Sequence, residues 1–170
     1  MTTSAINPAP RKALQPGART LPVSRAILYA TLVVGVLDAS DGVVFLGLQG
    51  TNPIQVLQYI ASSLLGTRSF SGGLASAGLG LVVHFAVSLV VAAIYILASR
   101  RVAVLRTQWV LFGLLYGAAV WTTMNLVVLP FTAVVHGPLT TAAVVNGLIG
   151  HALFVGLPSA FFAKKVQIGA

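Results

Sequence analysis

Four long apolar runs, at residues 26–48, 74–97, 109–129 and 139–162, are separated by short stretches that hold most of the polar residues. Each is about as long as a helix needs to cross a bilayer, roughly 20 residues. Between the first and second lies a shorter periodic segment, residues 53–65. On a helical wheel Ile54, Leu57, Ala61 and Leu64 share one face there, and Gln55, Gln58 and Ser62 share another. Thr51 or Asn52 suits the cap of that helix, and Pro53 suits its first turn. The pattern predicts an all-α integral membrane protein. Its four transmembrane helices form a bundle, with a short amphipathic interfacial helix between the first and second. That helix reads as a connector lying in the membrane interface, or as a lid or re-entrant element over the bundle mouth.

Residues 1–24 show no apolar period and read as a disordered basic tail. No small-x-small cleavage site closes the apolar run that follows, which is longer than a signal-peptide core, so it reads as an uncleaved first span. Residues 25–165 form the membrane domain, and 166–170 a second short tail.

Composition sharpens this class. Hydrophobic residues make up 57% of the chain and charged residues 7%, against roughly 25% charged in ordinary soluble domains. The formal charge of +8 flanks the spans rather than forming one patch, so the partner it points to is the lipid bilayer and not nucleic acid. Four spans put both termini on one side. Arg11, Lys12, Arg19, Arg25, Arg100, Arg101, Arg106, Lys164 and Lys165 fall on that side, with only Arg68 opposite. The positive-inside rule then places both termini in the cytoplasm. The chain has no cysteine, which excludes disulfides, thiolate metal sites and cysteine nucleophiles.

The candidate chemistry centres on Asp38-Ala39-Ser40-Asp41-Gly42, which contains both acidic residues of the chain. A carboxylate in the middle of a span is costly unless it faces a partner, an ion or a water-filled cavity. With Asp38 as reference, Thr31, Gly35 and Gly42 fall within about 60° on the wheel, and Asp41 about 60° to one side. The stripe fits a continuous helix, although these residue types also favour a turn that would break the span in two. Counting along the spans puts Asp38, His84 and His151 at similar depth, roughly 15 to 18 Å from an edge. Asp41, Asn125 and Asn146 lie further toward the side opposite the termini.

This polar cluster suits a proton relay, with Asp38 and His84 sharing a hydrogen-bonded, titrating site. Asp38, Asp41, His84 and His151 are also chemically plausible ligands for a divalent metal, though no spacing such as His-x-x-x-His occurs. The bland alternative is a hydrogen-bonded network that only fixes helix packing. Asn146 and His151 stand about 140° apart, so they are not expected to point at one axis. His136, before Gly137-Pro138, reads as a loop residue. Neither a nucleophile elbow nor a phosphate-binding loop is present, so the chain leans away from an enzyme and no catalytic residue is assigned. Gly73, Ala77, Gly80 and Ser88 surround His84 on its face, and Gly113-x-x-x-Gly117 repeats the small-residue pattern. Such faces let helices approach closely, within one chain or between copies of a homo-oligomer.

The motifs Met124-Asn125 with Pro130, and Gly150-His151 with Gly156-Leu157-Pro158, give the chain a further likeness. Over residues 26–165 it resembles small bacterial inner-membrane proteins of the YagU-like kind, which have a domain of unknown function. The resemblance implies a four-helix bundle in a bacterial inner (plasma) membrane. It carries over no substrate, cofactor or catalytic residue. The residues themselves favour movement or sensing of protons or a small solute through the Asp/His cluster, over a purely structural or a metal-binding role.

Overall fold

A computed structural model of the chain describes residues 20–137 and 139–166. Residues 1–19 and 167–170, most of the expected tails, lie outside the described residues. Four helices are long and apolar enough to cross a membrane: Val23–Gly47, Gly73–Arg101, Trp109–Phe131 and Thr141–Lys164. The first is α1 and the second α3, with α2 (Pro53–Leu65) and a 3-10 turn (Gly66–Ser71) between them. A single short turn of helix, α4 (Val104–Thr107), precedes α5 (Trp109–Thr123). The fourth run is divided into α6 (Thr141–Gly150) and α7 (Leu157–Lys164). No strand occurs among the described residues; one backbone bridge joins Leu21 to Val166. The two ends of the described chain therefore lie side by side, at what is called here the terminal end.

The helix α1 runs unbroken through Asp38-Ala39-Ser40-Asp41-Gly42. The side chains that could have formed a turn are occupied otherwise. Ser40 Oγ donates to the carbonyl of Val36 at 2.7 Å, and Thr31 Oγ1 to that of Ile27 at 2.8 Å. Both hydroxyls fold back one turn and leave the helical N–H ladder intact.

The third and fourth spans are interrupted instead. A π turn covers Met124–Val128 and another His151–Gly156. Each ends two residues before a proline, Pro130 and Pro158. Proline has no N–H to donate and its ring crowds the carbonyl four residues back, so the chain relaxes by widening the preceding turn.

At the terminal end Ala26, Ala30, Ala92, Ile96, Ala160 and Ala163 pack without a gap around Tyr95. Small side chains bring the backbones together there, as they do wherever packing rather than water drives association. Gly113, Gly117 and Gly156 extend the close approach. A Cβ on Gly156 would strike the Gly113 carbonyl, and one on Gly117 the His151 carbonyl.

The short helix α2 departs from expectation. Asn52 caps it, in a reciprocal pair with Gln55. Yet Gln58 and Ser62 are buried, at 5% and 0% exposure, whereas Ile54 and Leu64 are exposed at 43% and 62%. The amphipathic reading assumed that the polar face looks outward. Here Gln58 and Ser62 of that face look inward, because they have partners inside, while Gln55 stays exposed. Gln58 Nε2 donates to the Gly73 carbonyl at 3.0 Å, and Ser62 Oγ accepts from Val135 N at 3.2 Å. Gly80 has no side chain, which admits the Leu57 carbonyl against α3. The small-residue stripe beside His84 thus holds α2. Like the Gly113/Gly117 face, it is covered within the chain.

Candidate functional site

Beyond the terminal packing the helices separate around a cavity of about 450 Å³. Its floor is Val34, Val91 and Val155, which meet in one apolar cluster. Its walls come from α1, α3, α5 and α6. Its far side is covered by α2 through Val56, Tyr59, Ile60 and Ser63, and by the loop that carries Thr132 and Val134. That loop is tied to α2, since Ala133 N donates to the Ser63 carbonyl at 3.0 Å. The valine cluster bounds the cavity on one side, and α2 with this loop bounds it on another.

Asp38, Asp41, His84, Asn125, Asn146 and His151 all line this cavity, and all six are half-buried. His136 is exposed in the loop. The pairings differ from those expected. His84 does not meet Asp38: its Nε2 lies 2.8 Å from the carbonyl oxygen of Gly35. A carbonyl can only accept, so Nε2 carries the hydrogen. Gly35 explains the choice. A Cβ there would strike the Phe85 ring, so its absence brings α3 against α1 one turn before Asp38. A backbone oxygen is then the nearest acceptor.

Asp38 faces His151 instead, with Oδ1 3.6 Å from Nδ1. That is within reach of an ion pair but too long for a hydrogen bond. His151 Nδ1 is buried and has no hydrogen-bond partner. Asp41 Oδ2 accepts from Asn146 Nδ2 at 3.0 Å. Gly150 makes room for that carboxylate, since a Cβ there would stand 2.5 Å from Oδ2. Asn146 and His151 do both reach the cavity despite their wheel separation. Each meets a different carboxylate, and the two carboxylates stand one turn apart on α1, so no common axis is required.

Asn125 Nδ2 donates to the carbonyl of Trp121 at 3.0 Å, beside the first π turn. His151 opens the second. π turns of this kind are common where a helix positions functional groups. A lid over the bundle mouth was one of the two readings of this helix, but its cavity-lining residues, Tyr59 above all, were missed from the sequence. The signals available were glycines with positive φ on both sides of α2, Gly50 at 89° and Gly66 at 59°, where the chain turns sharply onto and off the cavity.

The four candidate metal ligands do not assemble. Among the described residues no three of His, Cys, Asp and Glu come together as a cation site. His84 is held by Gly35, Asp41 by Asn146, and only Asp38 and His151 stand as a pair. Comparison of the chain with models of known families, with curated proteins and with solved structures finds no match.

Proposed function

We propose that the chain is a multi-pass protein of a bacterial inner membrane, a four-helix bundle that moves or senses protons or a small solute through its cavity. The observation that carries this is the Asp38–His151 pair, separated by 3.6 Å at the wall of a 450 Å³ cavity. A network that served only to fix packing would close that gap, because an unpaired polar atom in such surroundings is destabilising. The open pair instead leaves His151 Nδ1 without a hydrogen-bond partner beside a carboxylate at the cavity wall. The apolar floor argues for a gated vestibule rather than an open channel. In this reading α2 is the lid of that vestibule at the membrane surface opposite the termini. The distribution of Lys and Arg supports termini in the cytoplasm, and the resemblance to YagU-like proteins supports a bacterial inner membrane.

The test uses cells that lack the native protein, complemented by Asp38→Asn or His151→Gln and followed by internal pH under acid stress. Both variants keep side-chain shape, so both are expected to accumulate folded yet lose the effect of the wild type. Full complementation by both folded variants would leave a purely structural role for the pair.

A further inference from the structure

We propose that the solute this cavity takes is a small apolar molecule bearing a protonated amine. The inference rests on the reading of the cavity as a solute site and narrows the class of solute. It follows from the balance of donors and acceptors around the cavity wall.

Several of the donors are engaged within the protein. His84 Nε2 donates to Gly35 O, Ser88 Oγ to His84 O at 2.9 Å, and Asn125 Nδ2 to Trp121 O. Asn146 Nδ2 donates one hydrogen to Asp41. Acceptors remain in surplus. The Asp38 carboxylate accepts no hydrogen bond from the described residues, and Asp41 uses one oxygen of two. The Tyr59 hydroxyl works either way, and the His151 ring already stands beside Asp38. No lysine or arginine lines the cavity.

Charge points the same way as the free acceptors. Both carboxylate side chains of a chain with formal charge +8 stand in this one cavity. An anionic guest would meet two carboxylates and no lysine or arginine. A neutral alcohol would offer one donor and no charge. An ammonium group offers up to three donors and the complementary charge, and charge-assisted hydrogen bonds are roughly twice as strong as neutral ones.

The rest of the guest is set by the walls. Phe45, Val91, Trp121 and Met124 are apolar or aromatic, and the volume of about 450 Å³ falls in the range of small-molecule sites. Trp121 and Tyr59 supply aromatic faces suited to a cation. The size, the apolar lining and the unanswered acceptors are separate observations, and they agree on one guest.

The experiment titrates benzylamine, benzyl alcohol and benzoate into the full chain in lipid nanodiscs, by calorimetry. The three probes share a ring and differ in the charge of the polar group. Benzylamine is expected to bind at least about tenfold more tightly than benzyl alcohol, the ratio that one charge-assisted hydrogen bond confers. Benzoate is expected not to bind. Asp38→Asn and Asp41→Asn should each weaken benzylamine by about tenfold and leave benzyl alcohol unchanged. Tryptophan fluorescence confirms that each variant is folded. Equal binding of amine and alcohol, or amine binding indifferent to both substitutions, would overturn the amine assignment and leave the cavity as a solute site. Absence of binding by all three probes would overturn both readings.

Discussion

The two ends of this molecule handle the same problem in opposite ways. At the terminal end the buried polar side chains among the described residues have protein partners and small residues pack closely. Tyr95 donates to the Leu105 carbonyl at 3.0 Å, Tyr116 to that of Val91 at 2.7 Å, and Arg106 to that of Ser99. Alanines and glycines close the gaps between them. Past Val34, Val91 and Val155 the helices diverge, carboxylates appear, and a separate helix and loop are needed to cover what the spans leave open. A helix pair in lipid gains little from hydrophobicity, so stability has to come from contact. The dense end supplies it. The other end can then hold a cavity and an unclosed ion pair without the molecule coming apart.

The contrast is sharpest at the glycines. Gly156 faces the Gly113 carbonyl, whereas Gly42 lines the cavity and would meet nothing within 4 Å of a Cβ. Gly156→Leu is expected to cost about 3 kcal/mol, since overpacking against backbone cannot be relieved by a rotamer change. Gly42→Leu should stay within about 1 kcal/mol of the wild type. Thermal unfolding in nanodiscs, read by tryptophan fluorescence, separates the two. Comparable losses would mean that the cavity is not open space.

A smaller effect tests the same boundary by deletion. Ile96 is fully buried at the terminal end, and Ile96→Ala should destabilise by about 2 kcal/mol through lost packing. Val87 lines the cavity and is partly exposed, so Val87→Ala should cost less than about 1 kcal/mol. Denaturant midpoints of the two variants give the comparison. Equal costs would erase the distinction between a dense end and an open one.

The smallest effect concerns the cover. Gln58→Met keeps volume but removes the bond to the Gly73 carbonyl and the weaker one to Ser76 Oγ at 3.4 Å. The expected cost is about 1 kcal/mol, confined to α2. Hydrogen exchange should quicken across residues 53–65 and not in α3 or α5. An even acceleration throughout would show that α2 is an integral part of the packed structure rather than a separate cover.

Much of the architecture could be read from the chain because bilayer thickness dictates helix length, and the four apolar runs have that length. Depth could be counted as well, one residue at a time along each helix. The faces of α2 could not. Amphipathicity assigns polar residues to water, but Gln58 and Ser62 found buried carbonyls and N–H groups instead. Nor could the pairing of Asp38 be read. It depends on the missing side chain at Gly35, which draws His84 to the backbone, and on the relation of α1 to the fourth span, which turns at His151. Pro130 and Pro158 were visible as helix breakers. That they would be absorbed as π turns beside Asn125 and His151 is a consequence of neighbouring helices that keep the chain straight.

The inward-facing Gln58 and Ser62 also bear on how the molecule is made. A ribosome delivers α2 before either of its partners exists. The Gly73 carbonyl that holds Gln58 follows 15 residues later, and the Val135 N–H that meets Ser62 follows 73 residues later. Until then α2 carries the unanswered Gln58 amide on one face and exposed Ile54 and Leu64 on the other. It has no stable resting place of its own during synthesis. The spans can insert in order, but α2 can dock fully only when the third span and its loop have crossed the membrane, which makes closure of the cavity one of the last steps in biogenesis.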